Sequence, residues 1–372
     1  MRPSPHRHTP ATIDLSAIRY NLITIRDHLK AKGKNPEFWP AVKANAYGHG
    51  AVEVSKAIEE LVEGYCVSNL DEAIELRDAG IEKEILVLSG IVPNNVDYAL
   101  DLNLSLTAPS LEWLKLILAT DKPVQGLKLH LKVDTGMGRI GVRTAEEANQ
   151  MVELMDSHGI DFTGVFTHFA TADEEAQENF NKQASRFVEI VASLPRRPKY
   201  VHSTNSAAAL WHDGQVQDIE RLGAGLYGIN PSNGALELPY ELKAAFSLKS
   251  EIYHCKEITA GDSVGYGATY KAEENTFIGT IPIGYADGWT RDMQGFKVLV
   301  DGKFCEIVGR VSMDQMTVKL DKAYPIGTVV TLIGGDGDKK ITADDIAQWR
   351  HTINYEVLTL LSDRIYRKYL GK

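Results

Sequence analysis

The sequence predicts an α/β architecture, a (β/α)8 TIM barrel, followed by a mostly antiparallel β domain. Three observations lead there. Between Phe38 and Gly228, short apolar runs alternate with amphipathic helical stretches. That is the pattern of parallel strands whose two faces are both covered by crossover helices. Eight such units fall within about 200 residues, the scale of one closed barrel. Beyond about Leu242 the texture becomes short strands separated by Gly/Asp turns, as in antiparallel sheets. A doubly wound open sheet is the alternative for the first part, but no GxGxxG follows its first strand.

The opening MRPSPHRHTP is rich in Pro and His and has no apolar stretch behind it. It cannot be a secretory signal, and residues 1–11 read as a disordered tail. The barrel is expected over residues 12–243, with its first strand able to pack on the second domain. Its strands are expected at Phe38–Lys43, Gly64–Ser68, Ile85–Ser89, Leu104–Thr107, Leu127–Asp134, Gly164–His168, Tyr200–Thr204 and Ala224–Gly228. Helices are expected at Ala51–Glu63, Leu70–Ala79, Ser110–Ala119, Ala145–Ser157 and Glu174–Leu194. In the β domain, residues 244–372, helices are expected only at Ala343–Trp349 and Tyr355–Tyr369.

Composition excludes several classes. With 40 Lys plus Arg against 50 Asp plus Glu, the formal net charge is -10, which repels phosphodiester backbones and argues against nucleic-acid binding. Cys66, Cys255 and Cys305 are far apart and odd in number. Neither a disulfide framework nor a zinc cluster is expected, and a reducing, cytoplasmic setting fits. The acidic turn Gly335–Asp338 lacks the ligand spacing of a calcium loop, so no metal site is expected. No apolar run reaches the length of a membrane span.

In a (β/α)8 barrel the chemistry gathers at the C-terminal ends of the strands, and polar residues cluster there. The first strand ends in Lys43, the fifth runs into Asp134 and Arg139, and the sixth ends in His168. The seventh ends in His202, followed by Asn205 and Ser206, and Arg221 lies just before the expected last strand. A lysine at a strand end ordinarily snorkels to water. At the rim of an apolar barrel, however, its pKa is depressed and it can attack an aldehyde. Tyr47, one helical turn on, can offer its hydroxyl to a phosphate or simply pack. Ser206, Gly223 and Ala224 can supply phosphate donors late in the barrel; Ser206 is equally well explained as a helix N-cap.

The segments PAVKANAYGHG, KVDTGMGRIG, FTHFATAD, HSTNSAAAL, RLGAGLYG, VGYGATY, IGYADG, GRVSMDQ and INYEV resemble, in this order, the motifs of the alanine racemase family. The resemblance covers nearly all of residues 12–358. It implies pyridoxal 5'-phosphate (PLP) as cofactor, L- and D-alanine as substrates, and a head-to-tail homodimer. In that dimer the second domain of one chain completes the site of the other.

Residue by residue, it implies that Lys43 carries the cofactor and is the base on the D face. Tyr266 is implied as the base on the L face, tuned through His168 and Arg221. Arg221 then faces the pyridine nitrogen, which an arginine cannot protonate. Arg139 and the Met313 backbone match the contacts to the substrate carboxylate. Tyr47, Ser206, Gly223, Ala224 and Tyr355 match phosphate-binding positions, and Leu88 one packed near the ring. His168 and Asn205 match further cofactor-binding positions, Asp173 and Tyr285 match the entrance, and His202 and Asp314 support the site. Lys132 aligns with a lysine that is carbamylated in some members, an ordinary paired lysine being the other reading. Ser312 and Gly265 are small variants within the motifs.

The activity implied is racemisation of alanine that supplies D-alanine for peptidoglycan. The alternatives are a racemase of serine or another small amino acid and, less well matched, a PLP carrier or a decarboxylase. Arg221 argues against the decarboxylase, and Tyr266 with the Met313 motif argues against the carrier.

Overall fold

The computed structural model describes residues 3–371. The chain divides into two compact units. One is Ala17–Lys243; the other takes the N-terminal residues through Ser16 together with Ala244 onward. Its strand β1 (Ala11–Asp14) is described with that second unit.

Ala17–Lys243 is a TIM barrel. Its strands are β2 (Glu37–Phe38), β3 (Gly64–Val67), β4 (Glu84–Val87), β5 (Ser105–Ala108), β6 (Lys128–Lys132), β7 (Asp161–Phe166), β8 (Tyr200–His202) and β9 (Ile219–Glu220). From β3 to β8 they pair in sequence order, all parallel. The ring closes through β2, which pairs in parallel with β9 at Phe38↔Glu220. Bridges at Ala41↔Cys66 and Asn205↔Arg221 join this pair to β3 and to the chain after β8. Closure leaves no sheet edge to protect.

The helices begin where polar caps follow the strands. Asn69, Ser110 and Thr144 each accept a backbone N–H three residues on, satisfying an otherwise orphaned helical donor. A 17-residue helix, Leu15–Ala31, was not among those expected. It buries Ile18, Leu22, Ile25 and Leu29 completely, a spacing that keeps one stripe on the core.

The expected last strand, Ala224–Gly228, is instead a 3-10 turn over Ala224–Tyr227. The true last strand lies earlier, at Ile219–Glu220, so Arg221 follows it rather than precedes it. Gly223, Gly225 and Gly228 lower the extended propensity of the run, and its N–H groups bond within the turn, Leu226 to Gly223 and Ile229 to Ala224.

The other unit adds β10 (Phe246–Glu251), β11 (His254–Ile258), β12 (Ser263–Val264), β13 (Tyr270–Lys271), β14 (Thr276–Ile281), β15 (Lys297–Val300), β16 (Lys303–Glu306), β17 (Met316–Leu320), β18 (Val329–Asp336), β19 (Lys339–Ile341) and β20 (Arg367–Leu370). The larger sheet runs β16-β15-β18-β10-β1-β20, with β19 on β18. β11-β14-β17 form a second sheet, and β12-β13 a hairpin. Pairing is antiparallel except between β1 and β20, where Ala11 meets Arg367 in parallel register. The expected final helix Tyr355–Tyr369 is a short helix, Asn354–Thr359, followed by β20. Val357, Leu358, Leu361 and Ile365 imitate helical spacing, but Ser362 N–H donates to Asp287 O and turns the chain out.

Residues 3–10 do not behave as the disordered tail expected of 1–11; Met1 and Arg2 lie outside the described residues. Ser4 N–H donates to Arg364 O at 3.0 Å. Thr9 is buried against Ser250 Oγ at 2.8 Å, and Arg7 forks onto Asp287. Long-range partners supply the order that local composition does not. Among the described residues no helix is long and apolar enough to cross a membrane.

Packing inside the barrel is tight at Gly164, where an added Cβ would lie 2.4 Å from His130 Nδ1. Gly164→Ala should therefore lower unfolding stability by about 1–3 kcal/mol through overpacking. Urea unfolding checks this, and a change within error would show that His130 yields freely.

Candidate active site

The strand expected over Phe38–Lys43 is only Glu37–Phe38, continued by the bridge Ala41↔Cys66, and Lys43 beyond it opens a turn of opposite hand. Ala44, Asn45, Ala46 and Tyr47 have φ of 52°, 54°, 53° and 53°. For L-residues this region costs roughly 1–2 kcal/mol each, so its hydrogen bonds must hold it. Glu72 accepts from Ala44 N–H at 2.8 Å and from Ser68 N–H at 2.6 Å. Asn45 Oδ1 accepts from Ala51 N–H at 2.8 Å, and His49 Nδ1 donates to Ala46 O at 2.9 Å. The turn displays Lys43 half-buried at the barrel end. Burial first, and then the Arg139 charge, hold its ammonium below the usual lysine pKa, favouring the neutral amine.

Tyr47 packs on Tyr227 with ring centroids 5.0 Å apart. Burial pushes its phenol up to about 12, so it remains a hydrogen-bond donor at neutral pH. With Leu88 it covers the cluster of Trp39, Ala41, Cys66, Leu86, Tyr200 and Ile219. A Cβ on Gly223 would lie 2.5 Å from Tyr47 Oη, so only glycine admits that hydroxyl. Ser206 Oγ accepts from Gly223 N–H at 2.7 Å and Gly225 N–H at 3.1 Å, which leaves the hydroxyl proton to donate outward. The cap of the following helix is Asn205, whose Oδ1 accepts from Ala208 N–H at 3.0 Å. Ser206 is thus not the N-cap that the sequence also allowed.

The interior polar chain starts at Arg221. Its guanidinium donates to His202 Nδ1 at 2.6 Å, Thr167 O at 2.9 Å and Ser203 O at 3.3 Å. Because arginine only donates, His202 carries its proton on Nε2 and passes it toward His130 Nδ1, 2.9 Å away. His130 Nε2 ends the chain with no hydrogen-bond partner among the described residues. Burial and then the Arg221 charge keep both imidazoles neutral, His202 well below its usual range and His130 at about 3. His202 stacks on Phe166 with centroids 4.9 Å apart. Beside it, burial and Arg221 lower Lys132 to about 7, while its ammonium donates to Val133 O at 2.9 Å.

The link expected from Arg221 to His168 takes another route. The Arg221 hydrogen bonds run to the ends of β7 and β8, and His168 Nε2 instead lies 3.5 Å from Asn205 Nδ2. The bridge Asn205↔Arg221 aims the guanidinium into the barrel. Burial first, and then Arg221, keep His168 neutral.

The loop after β6 is formed by Asp134, which accepts from Gly136 N–H at 3.1 Å and Gly138 N–H at 2.9 Å, and it carries exposed Arg139. Buried Gln183 ties this loop to the next, donating to Thr135 Oγ1 and His168 O at 3.2 Å and accepting from Ala170 N–H at 2.9 Å. On that second loop Asp173 is half-buried, and burial raises its carboxyl. Sequence reasoning missed Gln183 and His130. His130 was readable: it alternates with Lys132 in KLHLK, so both share a face of a strand.

In the other unit, Tyr266 stands on a 3-10 turn after Gly265, with 71% of its surface exposed. Gly265 has φ +77°, and a Cβ there would meet Arg310 N at 3.0 Å. Glycine at this motif position therefore permits the turn. Tyr285 and Met313 are also exposed. They are cross-braced, Tyr285 N–H donating to Ser312 O and Ala286 N–H to Met313 O, each at 3.0 Å. Asp314 accepts from Arg364 at 2.6 Å, and Tyr355 lies in the helix Asn354–Thr359.

A lysine at the mouth of a closed barrel, a polar interior braced by a buried arginine and a strand-rich second unit define a two-domain barrel protein with a candidate active site at the strand ends. The family models for the alanine racemase N-terminal and C-terminal domains match residues 13–231 and 245–369. The chain belongs to the alanine racemase family. An alanine racemase of Lactococcus lactis subsp. cremoris (strain SK11) is 64% identical over 369 residues, 99% of this chain and 100% of that one. One of Streptococcus equi subsp. zooepidemicus (strain H70) is 56% identical with the same coverage. The crystal structure of alanine racemase from E. faecalis superposes with a TM-score of 0.95 at 46% identity, covering 100% of both chains. That from Bacillus anthracis with bound L-Ala-P gives 0.94 at 39%, covering 98% of this chain and 95% of the other.

Neutral His130 makes stability depend on pH. Its pKa is about 3 folded and about 6.5 unfolded. Between those values the unfolded chain binds the extra proton, so this contribution weakens as pH falls from 6.5 toward 3. His130→Gln removes it. The stability gap between wild type and variant should narrow by up to about 1.4 kcal/mol per pH unit in that window. Chemical denaturation at pH 7, 5.5 and 4.5 reads the gap; a constant gap would count against a neutral His130.

Proposed function

We propose that this chain interconverts L- and D-alanine by a two-base mechanism, as a cytoplasmic homodimer holding PLP on Lys43 and supplying D-alanine for peptidoglycan. The observation that carries the reading is the pair formed by Lys43, biased toward its neutral amine, and Arg221, locked as a donor by His202. The barrel fits the cofactor at its other end too. Tyr47 Oη over Gly223, the outward proton of Ser206, and Ala224 beside them form a cradle of donors that a Cβ on Gly223 would fill. Tyr355 of the second unit would join that phosphate site. When bound, PLP supplies an electron-withdrawing ring that eases removal of the substrate α-proton.

The chain's own residues do the rest. Lys43 Nζ takes or returns the α-proton on the D face, and Tyr266 Oη on the L face. Opposed bases are what inversion requires. Arg221 would meet the ring nitrogen; having only protons to give, it leaves that nitrogen an acceptor. Buried, neutral His168 and His202 keep extra charge away from the same place. Arg139 and the Met313 backbone hold the substrate carboxylate, Leu88 packs near the ring, and Asn205 keeps Ser206 in place.

Asp173, Tyr285 and Asp314 shape the entrance. Lys132, at about 7, has an available neutral amine for carbamylation, and the resulting anion would orient Arg139. The exposure of Tyr266 and Met313 supports a dimer in which residues 244–372 of one copy complete the barrel site, residues 12–243, of the other. A racemase of serine or a larger amino acid is the competing reading. A histidine racemase from Leuconostoc mesenteroides subsp. sake has a TM-score of 0.91 but only 33% identity, against 64% for an alanine racemase, which favours alanine.

A chiral assay of the purified protein with L-alanine, and separately L-serine, with and without PLP, tests the reaction. Fast PLP-dependent approach to equal isomers of alanine, with serine much slower, is expected; retained PLP without stereochemical change would overturn it. Tyr266→Phe should slow α-proton exchange of L-alanine in deuterated water by about 100-fold or more, while exchange of D-alanine persists. Equal loss for both isomers would refute the division between the two bases. Lys43→Ala should leave no covalently held cofactor after dialysis.

A further inference from the structure

The N-terminal segment reaches the loops that carry Tyr285, Met313 and Asp314. Arg7 sends two parallel bonds to Asp287, Nη1 to Oδ2 at 3.0 Å and Nη2 to Oδ1 at 2.7 Å. Asp287 is fully buried, and it ends the turn Tyr285–Asp287. Its Oδ2 also accepts from Gly284 N–H at 3.0 Å, and its carbonyl from Ser362 N–H at 3.0 Å. Arg364 spans Asp287, at 3.4 Å, and Asp314, at 2.6 Å. The turn is wedged closely against its neighbours. A Cβ on Gly284 would lie 2.3 Å from Ser312 O, and one on Gly288 2.2 Å from Leu360 O.

A buried carboxylate is stable only when paired and hydrogen-bonded, and the planar fork of arginine fixes direction as well as charge. Asp287 is thus the post from which both loops hang, and its bidentate partner comes from a segment 280 residues earlier.

The geometry points to Arg7 as a positioning residue for the substrate entrance. Through Asp287 it sets the position of Tyr285 and the Met313–Asp314 segment, and with them the size of amino acid admitted. This rests on the proposed roles of Tyr285 and Met313. Arg7 touches neither substrate nor cofactor; it acts through the carboxylate. Arg364, which also holds Asp314, keeps one charge on Asp287 but lacks the fork.

The test uses Arg7→Gln and Arg7→Lys in the full-length enzyme with PLP. Arg7→Gln should raise KM for alanine about tenfold with a smaller change in kcat, and raise the serine-to-alanine ratio of kcat/KM. Arg7→Lys keeps the charge without the fork and should fall between. Amide hydrogen exchange at 284–288 and 312–315 should quicken in both, whatever the activity. A lowered melting temperature with unchanged KM, serine ratio and loop exchange would make Arg7 merely structural and overturn the inference. Should Arg7→Gln not fold, Arg7→Lys decides: raised KM and faster loop exchange support it, wild-type values refute it. A wild-type enzyme that racemises nothing would sink the earlier functional reading, while faster loop exchange in the variants would still show Arg7 holding the loops.

Discussion

The barrel interior is organised around one bond, from Arg221 to His202. A guanidinium that is almost fully buried must find acceptors or be expelled, and three converge on it from the ends of β7 and β8. The choice of acceptor settles more than the arginine. Because Arg221 cannot accept, the proton of His202 is confined to Nε2, and His130 must present Nδ1. The glycine at 164 then follows, since any side chain there would occupy the space of the His130 ring. Electrostatics, tautomer and backbone composition are thereby one linked choice. Its cost is the terminal His130 Nε2–H, unpaired among the described residues.

Opposite this rigid chain stands a strained one. Four consecutive non-glycine residues after Lys43 sit in left-handed conformation. Strain of this kind persists only where the surroundings over-determine it, and Glu72, Asn45 and His49 do so from three directions. The turn sharply separates Lys43, at its start, from Tyr47, whose hydroxyl lies against Gly223. A right-handed turn would carry Tyr47 elsewhere and leave Gly223 without reason to be glycine.

Much of the barrel was legible because its strands are covered on both faces and so are apolar nearly throughout. The places where the reading slipped share a cause. β9 is two residues long and consists of Ile219 and Glu220, with Arg221 next, buried polar side chains that break the apolar pattern. The next apolar run, Ala224–Tyr227, drew the strand in its place. Burial pushes Glu220 up to about 8, so it sits in the wall as a neutral acid, which no local pattern announces. Lys43, Arg221 and Tyr266 stood out through motifs, whereas Gln183 and His130 act through partners on other strands. Arg7 was unreadable for the same reason. Its meaning depends on a carboxylate far along the chain, and Pro- and His-rich neighbours suggest only solvent. The helix Leu15–Ala31, by contrast, carries a regular apolar stripe that is legible in the sequence.

The parallel pair of β1 and β20 sets an order of events. β1 lies between β10 and β20 in one sheet, so that sheet joins strands from nearly opposite ends of the chain. On a ribosome, Ala11–Asp14 emerge before the barrel yet find no sheet to enter until Phe246 and then Arg367 have been made. The barrel residues, complete by Lys243, meet their partners much sooner. Such long-range closure is slow and leaves an open strand edge while it waits. The fold therefore has a seam sewn last, between strands far apart in sequence, and that seam is where a stalled chain would be most prone to pair with another.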